Sequence, residues 1–133
     1  LPDVIRLVEQ CPDVRFVLDH IGKPDIKGHV LEPWRQNIAA LAALPNVWCK
    51  ISGLVTEADT ANWTAEDLRP YIEAVIESFG VARVMFGSDA PVAYLATTYD
   101  RWVETLRGAT RDLSAADQAR LFAANAAAFY RLG

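Results

Sequence analysis

Three short β-type runs recur along the chain at a near-constant interval, and this recurrence constrains the fold more than any other feature. Val14–Asp19 (VRFVLD), Val47–Ser52 (VWCKIS) and Val84–Ser88 (VMFGS) start near positions 14, 47 and 84, intervals of 33 and 37 residues. Segments of helical period fill the gaps. Pro33 suits a first helical position, and Trp34, Ile38, Leu41 and Leu44 follow it on one face until Pro45 and Asn46. Leu68, Ile72, Val75, Ile76 and Phe79 form a second helix ended by Gly80, with Pro70 placed to start or kink it. Leu1–Gln10 reads as a helix through Val4, Leu7 and Val8. Helices near Tyr99–Arg107 and Ser114–Leu132 close the chain, the last opened by Ser114 and Asp117 as a capping box.

Strands spaced in this way by single helices pair in parallel through right-handed crossovers. The pattern fits a doubly wound sheet or part of a (β/α)8 barrel, in which each unit takes roughly 30 residues. Periodicity and composition leave both open. The whole chain, residues 1–133, reads as one unit, since no linker or low-complexity stretch divides it.

Composition narrows the partners. With 13 Lys and Arg against 17 Asp and Glu, the net charge is −4, and no basic run exists to grip phosphates, so nucleic acid is not an expected partner. No stretch approaches the roughly 20 apolar residues of a membrane span, and no secretory signal is visible. Cys11 and Cys49 are too few for a disulfide framework and suit a reducing cytoplasm. The chain begins at Leu1 and its only methionine is Met85, so it is expected to be the later part of something longer.

In either architecture catalytic groups collect at the carboxyl ends of the parallel strands. The first run ends in Asp19-His20 before Ile21-Gly22-Lys23-Pro24, the second in Lys50-Ile51-Ser52-Gly53, the third in Gly87-Ser88-Asp89-Ala90-Pro91. His20 is suited to proton transfer, carbonyl polarisation or metal ligation, or to a plain structural hydrogen bond. Asp89 is suited to deprotonating a water, or to capping a turn. Lys50 and Ser52 share one face of their strand, directed at the polar interior, and with Lys23 are candidates for binding a small-molecule substrate. Asp19, counted by alternation from His20, is expected to face the helical layer in a structural role. The four tryptophans read as core or barrel lining, the cysteines as core. No glycine-rich phosphate loop or zinc-spaced Cys/His cluster is present.

The segments Phe16–Pro24 (FVLDHIGKP), Val47–Leu54 (VWCKISGL) and Met85–Val92 (MFGSDAPV), with the ending Leu121–Leu132 (LFAANAAAFYRL), resemble the amidohydrolase-2 family, nearest its sugar-lactone and pyrone-lactone hydrolase branch. The likeness spans nearly all of the chain, in order and spacing. It implies an α/β fold that is the C-terminal portion, about three βα units carrying strands six to eight, of a (β/α)8 TIM barrel. It further implies that Asp89 activates the hydrolytic water and that His20 binds or polarises the scissile carbonyl. Where a divalent metal such as zinc or manganese is present, His20 and Asp89 would ligate it; the resemblance is equally consistent with no metal. The early H-x-H of the family has no counterpart here, and Ala90 stands where this branch often carries tryptophan. The implied activity is hydrolysis of a lactone or related ester by water, with metal-dependent decarboxylation as the alternative on the same scaffold. A standalone, non-catalytic α/β binding module is the competing class. Three strands cannot close an eight-stranded barrel, so the isolated chain is expected to be inactive and to self-associate through its edges, as a homo-oligomer or an aggregate.

Overall fold

The computed structural model describes residues 1–133. Strands β1 (Phe16–Leu18), β2 (Val47–Ile51) and β3 (Val84–Phe86) form one parallel sheet in the order β1-β2-β3. Phe16 pairs with Val47 and Leu18 with Cys49; Cys49 in turn pairs with Val84 and Ile51 with Phe86. Helix α1 (Pro2–Gln10) precedes β1, and α2 (Trp34–Ala42) crosses to β2. The short α3 (Leu54–Glu57) and long α4 (Ala65–Phe79) cross to β3. Helix α5 (Tyr99–Ala109) follows, and then α6 (Ala115–Ala119), a π turn (Arg120–Ala124) and α7 (Asn125–Tyr130) run on as one rod.

Alternation along β2 sorts its side chains. Val47, Cys49 and Ile51 are buried under Ile38 and Leu41 of α2 and Leu68, Ile72 and Val75 of α4. Burying a Val, Leu or Ile side chain contributes roughly 1.5–3 kcal/mol, so this layer is the main source of cohesion. Trp48 and Lys50 point to the opposite, inner face and stay half-buried. Strand order follows chain order and α2 and α4 cover one face. That is the arrangement of a barrel segment, whereas a doubly wound sheet carries crossover helices on both faces.

At its far end α7 folds back over the inner face. The Phe129 ring lies 5.1 Å from that of Trp48, and the Arg15 guanidinium sits 4.7 Å over Phe129 while donating to its carbonyl at 3.1 Å. Asn125 Nδ2 donates to both Val81 O and Val84 O at 2.7 Å, which ties the closing helix to the start of β3.

Several expectations are refined. The strands are shorter than their apolar runs, because left-handed turns end β1 and β2 soon after their last paired residue. Pro70 neither starts nor breaks α4. Thr64 and Asp67 box the N-terminus at Ala65, and the carbonyl that Pro70 leaves without a partner belongs to exposed Glu66. Ser114 caps α6, accepting from Asp117 N at 3.1 Å. Helix α3 lies where a plain loop is expected, since a single turn shows no period. No helix is long and apolar enough to cross a membrane.

Candidate active site

The carboxyl end of β1 does not continue as extended chain. His20, Ile21, Gly22 and Lys23 all have positive φ, at 50°, 46°, 73° and 52°. For a β-branched residue such as Ile21 this conformation is strained and persists only where its surroundings over-determine it. Here Ile21 is completely buried, Trp34 Nε1 donates to its carbonyl at 2.7 Å, and Lys23 N closes the turn on His20 O at 2.9 Å. The side chain that fills the core and the indole that holds the carbonyl force the turn that local propensity disfavours.

This turn overturns the expectation that Asp19 faces the helical layer. Register places Leu18 beside Cys49, on the buried face, so Asp19 follows Lys50 to the inner face. The left-handed turn then swings His20 to the same side. Asp19 Oδ1 lies 3.1 Å from Lys50 Nζ, and its Oδ2 lies 3.5 Å from His20 Nε2. Burial alone would lower the Lys50 pKa, but the hydrogen bond and charge of Asp19, helped by Tyr130, outweigh it and hold the ammonium above its ordinary range.

Asp89 arrives from the end of β3. Its own φ is 55°, and its carbonyl accepts Ala93 N at 2.8 Å. Trp102 Nε1 fixes the preceding loop by donating to Gly87 O at 2.9 Å. The carboxylate is 11% exposed and its Oδ1 lies 3.6 Å from His20 Nε2.

Ser52, expected as a substrate contact, is fully buried, and its hydroxyl lies 2.8 Å from His20 Nδ1. Two glycines permit this packing. A Cβ on Gly53, which has φ +69°, would sit 2.8 Å from His20 Cβ; one on Gly87 would sit 2.8 Å from Ser52 Cβ and from Lys50 Cδ. Lys23 stands apart on the rim, 59% exposed and paired with Glu57 at 2.7 Å, a contact that raises its pKa.

His20, Asp89, Lys50 and Ser52 therefore converge, and Asp19 joins them although alternation from His20 had excluded it. The signal that finds Asp19 is its register opposite Lys50. Glu57 gave no sequence signal. The tryptophans are mostly core as expected, but Trp34, Trp63 and Trp102 also donate to loop carbonyls, of Ile21, Ala96 and Gly87. Cys11 and Cys49 are free, and burial pushes the Cys49 thiol far above the usual range.

The donor set does not by itself fit a divalent metal. His20 and Asp89 approach each other, but Asp19 is engaged by Lys50, and no three His, Cys, Asp or Glu side chains are placed to hold an ion together. What the arrangement offers alone is a half-buried imidazole facing a nearly buried carboxylate, beside an ion pair that neutralises the second carboxylate. Such a set suits proton abstraction next to a hydrogen-bond donor.

An L-fucono-1,5-lactonase from Burkholderia multivorans is 42% identical over 150 aligned positions, covering 98% of this chain and 51% of the lactonase. An uncharacterised protein of Sinorhizobium fredii is 41% identical over 133 residues, 99% of this chain and 44% of its own length. An amidohydrolase of B. multivorans crystallised with bound zinc superposes with a TM-score of 0.95 at 38% identity, over 99% of this chain and 49% of its own. The chain thus spans about half the length of the relatives it matches. The amidohydrolase family profile matches residues 1–132, and on this coverage the chain belongs to the amidohydrolase family.

Proposed function

We propose that this chain forms the C-terminal portion, carrying three of the strands, of a (β/α)8 amidohydrolase that opens a sugar lactone by attack of water on the ester carbonyl. In this reading Asp89 takes the proton from the water and His20 donates a hydrogen bond to the carbonyl oxygen. The observation that carries it is the meeting of His20 Nε2 and Asp89 Oδ1 at 3.6 Å, at the carboxyl ends of the two outer strands. The likeness to an L-fucono-1,5-lactonase supports the choice of substrate class.

The chemistry follows from the two groups. Water is a poor nucleophile until a base removes its proton, and Asp89 has no lysine or arginine partner to compete for its oxygens. As the new C–O bond forms, the carbonyl electron pair moves onto oxygen, and a donor aimed at that oxygen stabilises the developing charge. Two carboxylates face His20 Nε2, which favours a hydrogen on that nitrogen. Collapse of the tetrahedral intermediate breaks the ring C–O bond, and the departing alkoxide takes the proton held by Asp89. The product hydroxy acid ionises near neutral pH and releases one proton. The residues of this chain do not by themselves complete a site for a metal.

The test joins to Leu1 the part of the Burkholderia lactonase that this chain does not match, which in this reading carries the remaining strands of the barrel. The folded fusion is expected to release protons from L-fucono-1,5-lactone in a pH-stat, whereas the isolated chain, lacking the opposite wall of the barrel, releases none. Asp89→Asn in the fusion is expected to lower turnover roughly 10²–10⁴-fold with an unchanged unfolding temperature. A folded fusion that leaves the lactone intact overturns the reading, and near-normal turnover in Asp89→Asn removes that residue from the chemistry.

A further inference from the structure

We propose that Ser52 is a positioning residue, a buried wedge between the ends of β3 and β1 that fixes the His20 ring with Nε2 presented to Asp89. The inference rests on the role given to His20 above, and concerns how that role is set.

Ser52 is fully buried, so it does not touch a substrate in the open site. Its hydroxyl has one partner, His20 Nδ1, at 2.8 Å. With no other acceptor in reach, the Ser52 hydrogen points at Nδ1, and the ring hydrogen is left on Nε2. The Nε2 end agrees, for Asp19 and Asp89 oxygens face it at 3.5 and 3.6 Å. Both ends of the ring thus select one tautomer.

Packing makes the wedge rigid. Gly87, two residues before Asp89, lies so close that a Cβ on it would meet Ser52 Cβ at 2.8 Å, and Gly53 lies as close to the His20 ring. Gly87 is itself held between Ile51 O, which accepts its N–H at 3.1 Å, and Trp102 Nε1. Gly87, Ser52, His20 and Gly53 form one stack across the three strand ends, and Ser52 is its only hydroxyl. The spacing of base and donor is set through that residue. A misplacement of about 1 Å at a reacting group costs on the order of 10²-fold in rate.

The first measurement is ring ¹⁵N NMR of the neutral histidine in the 133-residue chain, whose two histidines are reduced to one by His29→Gln at an exposed loop position. The parent chain is expected to show a single Nε2–H tautomer, and Ser52→Ala a mixture of the two, with Ser52→Thr restoring the single form. An Nδ1–H ring in the parent, or a single Nε2–H ring in Ser52→Ala, overturns the proposal. The second measurement is kinetic, in the fused barrel: Ser52→Ala is expected to lower kcat roughly 10–100-fold with KM within about twofold, and Ser52→Thr to recover most of it. A raised KM at unchanged kcat would make Ser52 a substrate contact and overturn the proposal. A fusion without lactonase activity would sink the function assigned above, whereas the tautomer measurement would still decide the role of Ser52.

Discussion

Lys50 and Asp19 join the ends of two adjacent strands, Nζ to Oδ1 at 3.1 Å, and the second Asp19 oxygen turns toward His20. The pair gives two neighbouring carboxylates different tasks. Asp19 is neutralised by a cation in direct contact, whereas the one group at ion-pair distance from Asp89 is the His20 imidazole.

The Lys50 pKa is raised in the folded chain, with burial opposing the shift and Asp19 and Tyr130 prevailing. A raised lysine pKa contributes stability that is fully present below the unfolded value and is lost as pH rises through the folded one. Asp19 is 54% exposed, so solvent screening limits the contribution to under about 1 kcal/mol. Asp19→Asn is expected to lower the Lys50 titration midpoint and to reduce urea stability slightly at pH 7. The difference from the parent chain disappears in alkali, once Lys50 is neutral in both. A difference that persists there would place the contribution outside the ion pair.

Gly53 and Gly80 have similar φ, 69° and 70°, but different surroundings. A Cβ on Gly53 would collide with the His20 side chain, whereas one on Gly80 meets nothing within 4 Å. Both alanine variants are expected to lose roughly 1–3 kcal/mol to backbone strain in urea unfolding. Only Gly53→Ala is expected to move the His20 ring resonances. Equal, unshifted His20 signals in both variants would show that the close approach has no consequence for the site.

The spacing of the β runs and the faces of α2 and α4 were legible because burial on a regular element leaves a period in the sequence. The carboxyl-end residues were legible as a set for the same reason: they follow directly from where each run stops. Alternation counted backward from His20 misplaces Asp19, because the count crosses a turn that is not extended. Nothing local announces that turn, for Ile21 is among the residues least suited to positive φ and is held there by core burial and by the Trp34 indole. Glu57 as the partner of Lys23 was equally hidden, since it sits on a one-turn helix with no period to read.

Asp67 accepts from both the backbone N–H and the hydroxyl of Thr64, at 2.8 and 2.9 Å, and these bonds lower its pKa. A lowered carboxylate pKa gives stability present above the unfolded value and lost as pH falls through the folded one. Thr64→Ala is expected to cost roughly 0.5–2 kcal/mol at pH 7, and much less once Asp67 is protonated in acid. Urea unfolding at the two pH values measures this. A cost unchanged by acid would mean that the hydroxyl, and not the carboxylate, carries the cap.

Trp34 and Trp102 hold the two site loops by the same means, each indole N–H donating to a loop carbonyl, of Ile21 at 2.7 Å and of Gly87 at 2.9 Å. Phenylalanine keeps most of the apolar bulk at either position and removes the donor. In Trp34→Phe the Ile21 carbonyl loses its partner in a buried setting, which costs roughly 1–3 kcal/mol. The strained segment from His20 to Lys23 then loses a restraint that keeps its φ values positive. Trp34→Phe is therefore expected to speed amide hydrogen exchange at residues 20–23 and to lower kcat in the fused barrel, while Trp102→Phe does the same around Gly87 and Asp89. Trp48 lines the inner face against Phe129 and makes no such bond to a site loop, so Trp48→Phe is expected to leave exchange in both loops unchanged. Exchange that rises equally in all three variants would show that the tryptophans act by bulk alone and that the loops are held by other contacts.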